Sequence, residues 1–592
     1  MIVSMKKIAV VMRDSQALPA LEALRSLGAV HIEHQQPPQG IDLNAIQDDI
    51  TLLDSAIGIL SEPAFVKVAG SQSDNLAQDW KFVAKHIVDL DRRLDQLSEY
   101  LIGLRSRIGQ WEKWGDFNPE EIQKLAQEGL YIKLYQIPQK DVDKLPGAVI
   151  VKKIFASAGF VHCVVVSRQK IDINFKEIAL PKLGLQKMKE RLYEDGRMMQ
   201  IIKDDICKYI AYRQDLIRER GILNKELEFA RALKGMGQAD QLKYLVGYVP
   251  SDDENLIRDT AKTQGWGLLI NDPAEDDTVP TLIRNPRWVS IINPVFKMIE
   301  VIPGYNELDI SFWFLIFFSI FFGMLIGDAG YGAAYFLLTL FAHKKLGVKV
   351  KDNSVFILFY ILSGCAILWG VLTATFFGQE WLPQSIKPII PALRNDKNIQ
   401  SLCFFLGALH LSIAHLWRFI NKMPSLAALA DAGWILILWF AFFLARLLIL
   451  GDNLVWFASW LLIAGVCLVI FFSHPSKNIL KSLGRGLGTL LLSLVNNFTD
   501  IVSYIRLFAV GLATVAVADA FNNMAIGVGF NSIFSGLMAS FIIVVGHLLN
   551  ILLGPLTILV HGVRLNVLEF CSHLDIKWSG FVYRPFQDKA VN

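Results

Sequence analysis

No G-x-x-x-x-G-K-[ST] phosphate loop, G-x-S-x-G elbow, H-E-x-x-H helix or aspartyl-phosphate signature occurs anywhere in the chain, so the sequence carries none of the usual machinery for hydrolysis. The glycine-rich stretch SLGRGLGTL (482–490) lacks the lysine that phosphate binding requires. Cysteine is scarce, six in 592 residues, with no pair at zinc-site spacing and no disulfide framework. No catalytic residue, metal site or cofactor is therefore expected. An excess of one charge is also missing: 58 Lys and Arg against 55 Asp and Glu leave +3, which gives no footprint for nucleic acid. The apolar stretch 8–12 ends at Arg13 and is too short for a signal-peptide core, so the first half is expected to stay in the cytoplasm.

What is present divides in two. Charged residues are dense up to about residue 285, whereas apolar runs dominate from Phe312 onward. With 53% hydrophobic residues overall, this is the pattern of a membrane protein with a soluble part attached. The soluble half, 1–300, opens β-α-β: a strand at 7–12, a helix at 15–27 closed by Gly28, and a strand at 29–33. Ile46, Ile50, Leu53, Ile57 and Leu60 then recur at alternating steps of four and three, as do Leu90, Leu94, Leu97, Leu101, Leu104 and Ile108. Such a repeat keeps one stripe against a partner helix. A looser seam runs from Leu192 through Ile206 and Leu216 to Leu227. The expected fold is α+β: two α/β lobes, near 1–40 with 240–300 and near 115–180, joined by a long antiparallel coiled coil near 43–112 and 183–235. The hairpin either closes on itself or also docks other subunits.

In the membrane half, 301–592, runs long enough to cross ~30 Å of hydrocarbon begin near Ser311, Tyr331, Val355, Ser401, Ala427, Leu454, Gly488 and Asn531. An eight-helix polytopic domain with both ends in the cytoplasm follows from the positive loops. Lys344, Lys345, Lys349 and Lys351 follow the second run, Arg418 and Lys422 the fourth, Lys477, Lys481 and Arg485 the sixth, and Lys577, Arg584 and Lys589 the eighth. Lys387, Arg394 and Lys397 in the third loop are diluted by Glu380 and Asp396. The last two runs are long: residues 488–525 as one helix measure ~57 Å, so that helix must tilt or protrude.

Both carry polar stripes. Asn496, Thr499, Ser503 and Arg506 share one face of the seventh, and His547, Asn550, Gly554, Thr557, His561 and Arg564 one face of the eighth. An arginine at the centre of a membrane helix costs at least ~2.5–3.5 kcal/mol on insertion scales, so Arg506 needs a use. Two long helices with such stripes suit the wall of an ion path. Alternatively the arginines pair with buried acids and pin the bundle, with Asp519 or Glu569 as partners for Arg506, and Arg564 snorkels to the interface. His410 and His415 read as packing.

The segment SYIRLFAVGLA (503–513) resembles S-Y-x-R-L-x-A-x-x-L-A, the surroundings of the essential arginine in the a/I subunit of V-type and archaeal A-type rotary ATPases. HGVRLNVLEF (561–570), FFGMLIGDAGYG (321–332), YLVGYVP (244–250) and WSGFVYRPF (578–586) are similar to further elements of that family. The resemblance implies a static ion-channel subunit with Arg506 and Arg564 in ion translocation and Glu569 as the following acid. Half-channels would then be lined by candidates among Asn496, Thr499, Asp500, Ser503, His547, Asn550, Thr557, His561 and Glu569. It also implies a rotating proteolipid c/K ring, peripheral-stalk E/G-type subunits, a central-stalk d/C-type subunit and the lipid bilayer as partners. ATP chemistry would lie on other chains, in a bacterial or archaeal cell membrane, with H⁺ or Na⁺ as the ion. Thr514 and Gly554 stand where some eukaryotic relatives carry a histidine and an acid. A secondary cation-coupled transporter with a cytosolic regulatory arm would instead show inverted repeats with broken helices, and none is visible. A coiled-coil membrane scaffold leaves the arginines without a purpose.

Overall fold

The computed structural model of the chain describes residues 1–66, 79–142, 149–157, 159–170, 173–348, 350, 352–378, 388–473, 490 and 493–588. The 482–490 stretch except Leu490, the start of the seventh run at Gly488, and Lys349, Lys351, Glu380, Lys387, Lys477, Lys481, Arg485 and Lys589 lie outside these residues.

The chain opens with β1 (Met5–Arg13), α1 (Ala17–Leu27) and β2 (His31–Glu33). Gly28 ends α1 in the left-handed conformation, φ 65°, which glycine adopts without penalty. Helices α2 (Ile41–Leu60), α3 (Trp80–Trp111) and α4 (Pro119–Gln127) follow, then β3 (Tyr131–Pro138), β4 (Ile150–Ser157), β5 (Phe160–Ser167) and β6 (Lys176–Ile178). After α5 (Leu185–Lys208) and α6 (Arg213–Lys234) come β7 (Gly237–Ala239), β8 (Leu242–Pro250), α7 (Glu254–Gln264), β9 (Gly267–Asn271) and α8 (Asn293–Ile299). One sheet has the order β2-β8-β1-β9 with β7 on β8, and the other the order β4-β5-β3-β6.

Packing divides the chain into two compact units, one chiefly of Val10–Gly28 and Ile32–Val246, the other of Met1–Ala9, Ala29–His31 and Gly247–Phe586. In the first, β3 and β5 pair antiparallel from Tyr131 opposite Ser167. Their alternate residues Tyr135, Ile137, Cys163 and Val165 form a small core, as period-2 patterning requires. The helices use the heptad positions. Leu43, Ile50 and Leu227 join α2 to α6. Leu53, Leu60, Ile87, Leu90, Ile206 and Leu216 form the central cluster, and Leu104, Ile108, Leu185 and Met188 join α3 to α5.

The second unit holds the apolar helices α9 (Ser311–Ile326), α10 (Ala329–Leu346), α11 (Ser354–Thr373), α12 (Asp396–Lys422), α13 (Ala428–Leu450), α14 (Ala458–Phe472), α15 (Ser493–Val528) and α16 (Ile533–Leu574). Eight crossings are expected from the sequence. Among the described residues five helices, α11, α12, α13, α15 and α16, are by themselves long and apolar enough to span. The α9–α10 pair, bent by 120°, qualifies only as one unit, and α14 is short at 15 residues. At 36 and 42 residues, α15 and α16 measure ~54 and ~63 Å, well beyond the hydrocarbon thickness.

The bend between α9 and α10 is built at two residues. Gly327 takes φ 69° to end α9, and Asp328, fully buried, caps α10 by accepting from the Gly330 and Tyr331 N–H groups at 2.7 and 3.1 Å. Its other oxygen accepts the Gly378 N–H at 2.8 Å. Three donors thus satisfy a carboxylate inside the bundle, which is the condition for burying it. Asp328→Ala removes the cap and orphans those N–H groups. It is expected to cost ~2 kcal/mol and to lower the thermal unfolding midpoint of the detergent-extracted subunit, with Asp328→Asn recovering part of the loss.

Residues before α9 and after α16 are hydrogen-bonded together. Lys577 N–H donates to Glu307 Oε1 at 2.8 Å and Gly580 N–H to Ile302 O at 3.3 Å. Thr281 exchanges hydrogen bonds with Phe581 and Tyr583 at 2.8 and 3.0 Å. Any Cβ at position 580 would lie 2.0 Å from Pro303 O, so only glycine fits. The segment ahead of the first apolar helix is thus fastened to the segment that follows the last one.

Candidate functional site

Arg506 and Arg564 come together on one carboxylate. Arg506 Nη1 lies 3.7 Å and Arg564 Nε 3.5 Å from Glu569 Oε1, to which Ser503 Oγ also donates at 3.3 Å. Glu569 is nearly buried, with 5% of its side chain exposed, against 21% for Arg506 and 53% for Arg564. The carboxylate reaches them because residues Leu565–Phe570 form a π-helical turn. In a π turn residues five apart stack, whereas five α-helical steps would place Glu569 about 140° from Arg564.

The ion cluster is incompletely satisfied. Among the described residues Arg506 Nη1 and Glu569 Oε2 are buried and make no hydrogen bond. A buried guanidinium nitrogen held by charge alone retains the capacity to bind another carboxylate. The same face of α15 continues with Ala509, Ala513, Ala516 and Ala520, all exposed, and small side chains let a second helix approach closely. Behind Arg506, Tyr504 is fully buried. Its hydroxyl meets His410 Nδ1 at 2.8 Å, and the His410 ring is sandwiched between Phe317 and Phe570, with centroids 3.9 and 4.3 Å away. This packing fixes the backbone that carries Arg506.

A second polar cluster lies further along α15 and α16. Tyr331 Oη meets His547 Nδ1 at 2.7 Å and accepts from Asn550 Nδ2 at 3.0 Å. His547 Nε2 contacts Asn522 Oδ1 at 3.1 Å, and Asn550 Nδ2 also donates to Thr514 O at 2.9 Å. His547 and Asn550 thus belong to one network, whereas among the described residues Thr557 bonds only its own helix, at Leu553 O. Thr499 does likewise to Val495 O, and it and Asn496 are exposed. His561 is half-buried on the turn before Arg564. Asp519 accepts from Asn523 at 3.1 Å, and of the two acids named for Arg506 it is Glu569 that pairs with it.

Asp500 points elsewhere, to His573 Nε2 at 3.1 Å. His573 in turn contacts His415 at 2.9 Å. The reading of His415 as packing is therefore corrected: it is a hydrogen-bonded member of an ionic network that also contains Asp431. Sequence reasoning missed His573, Asp431, Asn522 and Tyr331, since their partners lie on other helices.

Helices of this length and apolarity, with ionisable groups facing one another inside the bundle, define an integral membrane protein. Comparison with known proteins makes this more specific. The V-type ATP synthase subunit I of Borreliella burgdorferi is 33% identical over 622 aligned positions covering 99% of both chains. The V-type ATP synthase subunit I 1 of Treponema pallidum is 28% identical with both chains covered in full. The A-type ATP synthase subunit I of Methanocaldococcus jannaschii is 25% identical over 64% of this chain and 59% of its own. No family model matches the chain. A crystal structure of the cytoplasmic N-terminal domain of subunit I, homolog of subunit a, of V-ATPase covers 45% of this chain and all of its own at 14% identity and a TM-score of 0.22, too slight a likeness to define the fold. The chain belongs to the V-type and A-type ATP synthase subunit I family.

Proposed function

We propose that this subunit is the static half of the ion path: two half-channels that meet at Arg506, against a rotating proteolipid c/K ring. All eight apolar helices would cross the membrane, with the N-terminal half and the C-terminus in the cytoplasm of a bacterial or archaeal cell. Helices α2, α3, α5 and α6 would form the coiled-coil stator arm that binds E/G-type peripheral stalks, with the d/C-type subunit nearby. ATP hydrolysis or synthesis would occur on other subunits.

The observation that carries this reading is the buried Arg506 Nη1 without a hydrogen bond, on the face that continues as an exposed alanine row. A ring carboxylate crossing lipid must be neutral, loaded with its ion, because an isolated charge there is too costly. Opposite Arg506 its ionised form is favoured, and the ion leaves. Past the arginine it reloads from the other half-channel before re-entering lipid. The guanidinium stays charged throughout and offers a planar fork to the passing carboxylate. Ser503, Asp500 and Glu569 would serve one half-channel, and His547 and Asn550 the other.

Ala513→Cys tests the docking directly. Paired with a cysteine placed beside the ring carboxylate, it is expected to give a disulfide-linked adduct of the two subunits on oxidation. If neither Ala513 nor Ala509 links to the ring in an intact complex, this face is not the ring contact.

A further inference from the structure

Four ionisable side chains from four helices lie in one line. Asp431 Oδ1 on α13 contacts His415 Nδ1 on α12 at 3.3 Å. His415 Nε2 meets His573 Nδ1 on α16 at 2.9 Å, and His573 Nε2 meets Asp500 Oδ2 on α15 at 3.1 Å. The side chains of Asp431, His415 and His573 are 2, 5 and 5% exposed, that of Asp500 27%. Lys422 Nζ and Arg418 Nε lie 2.7 and 3.4 Å from Asp431, and Arg418 Nη1 donates to His573 O at 2.9 Å. Arg418 and Lys422, with Glu307 and Asp575, line a pocket of about 300 Å³. At the other end Ser503 Oγ donates to the backbone carbonyl of Asp500 at 2.7 Å and to Glu569 Oε1 at 3.3 Å, which sets Asp500 one helical turn from the Arg506 cluster.

Counting protons gives this line a property its members lack singly. Three contacts join two carboxylates through two imidazoles, and each contact needs one hydrogen. Two neutral imidazoles carry only two N–H groups between them. Filling all three contacts requires a third proton, satisfied with His415 protonated on Nδ1 and His573 on both nitrogens. With two protons one contact is left as lone pair against lone pair. The line therefore has a vacancy that a proton fills from one end and re-creates by leaving at the other.

We propose that Asp500, His573, His415 and Asp431 form a proton relay between the Arg506 cluster and the pocket, so that the ion handled on this side is H⁺ and not a metal cation. The proposal rests on the ion-path reading above. In the outward step a proton on Asp500 Oδ2 passes to His573 Nε2, His573 Nδ1–H passes to His415 Nε2, and His415 Nδ1–H passes to Asp431. One proton enters, one leaves, and no bond other than N–H and O–H changes. The imidazoles finish in the opposite tautomers and reset when the next proton moves back along the line or the rings turn. Two side-chain rings in direct contact leave no room for a hydrated cation, whereas a proton needs none.

The test uses membrane vesicles with the assembled complex. His573→Gln keeps a hydrogen-bonding side chain that cannot take up a proton, and is expected to slow ATP-driven acidification ~10²-fold, the size of a lost proton-transfer group. His573→Ala should be equally slow and be rescued by added imidazole but not by pyrazole, which fills the same space without taking up a proton near neutral pH. A merely structural histidine would respond to both. Wild-type vesicles, which carry no folding risk, should acidify at a rate independent of Na⁺. Wild-type rates in assembled His573→Gln complexes would overturn the relay, as would Na⁺-dependent pumping without acidification. Either result leaves the ion path standing provided Arg506→Ala is inactive; an active Arg506→Ala removes both.

Discussion

Arg506→Ala is expected to bring ion pumping by vesicles holding the assembled complex down to the background leak, with subunit assembly retained. Nη1, which makes no hydrogen bond among the described residues, is the group that a ring carboxylate would meet, and without it the carboxylate has to stay neutral and keep its ion. An uncompensated charge at that depth costs at least ~2.5–3.5 kcal/mol, so release slows by roughly 10²-fold or more, since each ~1.4 kcal/mol is a factor of ten. Arg506→Lys keeps the charge but loses the planar fork, and is expected to restore only part of the rate. Measuring acidification, ATPase activity and subunit stoichiometry together decides the matter. Normal pumping by an assembled Arg506→Ala complex would reduce Arg506 to a structural pin.

Glu569→Ala is expected to be the most destabilising single change in the membrane half. Both guanidinium groups lie within 3.7 Å of the same Glu569 oxygen, so removing it leaves two cations side by side with no counter-charge among those contacts. Breaking a buried pair in this way costs ~3–5 kcal/mol. The lower end applies because Arg564 is half exposed and can turn outward. The loss would appear as a lower unfolding midpoint of the detergent-extracted subunit and a smaller yield of complex. Adding Arg564→Ala to Glu569→Ala should recover part of the stability, since it removes one of the stranded charges. A Glu569→Ala subunit as stable as wild type would mean that the three groups do not act as a unit.

Much of the soluble half was legible. Gly28 as the stop of α1, the strand at 7–12 and the heptad leucines are local signals, and local backbone preference and burial agree there. The arginines were legible for the opposite reason: a charge in an apolar run violates its surroundings and needs a partner. What the sequence hid was which groups meet. Glu569 reaches Arg564 only through a π turn, and a reading at 3.6 residues per turn puts it on another face. His415 and His573 stand 158 positions apart on different helices. Arg418 and Lys422, whose visible role was to mark a positive loop, turn out to hold Asp431 at the end of that line. Eight apolar runs were visible in the sequence, yet among the described residues only α11, α12, α13, α15 and α16 are by themselves long and apolar enough to span.

A ring turning against α15 and α16 would drag both helices sideways, and a helix whose end hung free would give way. Residues 577–586 leave no such slack. Their hydrogen bonds to Ile302, Glu307 and Thr281, and that of Phe586 N–H to Val30 O at 2.8 Å, fasten the tail at both ends. Under the proposed rotation, load taken up along α16 would pass through this tail to the segment ahead of α9, closing a mechanical loop around the helices that bear the arginines.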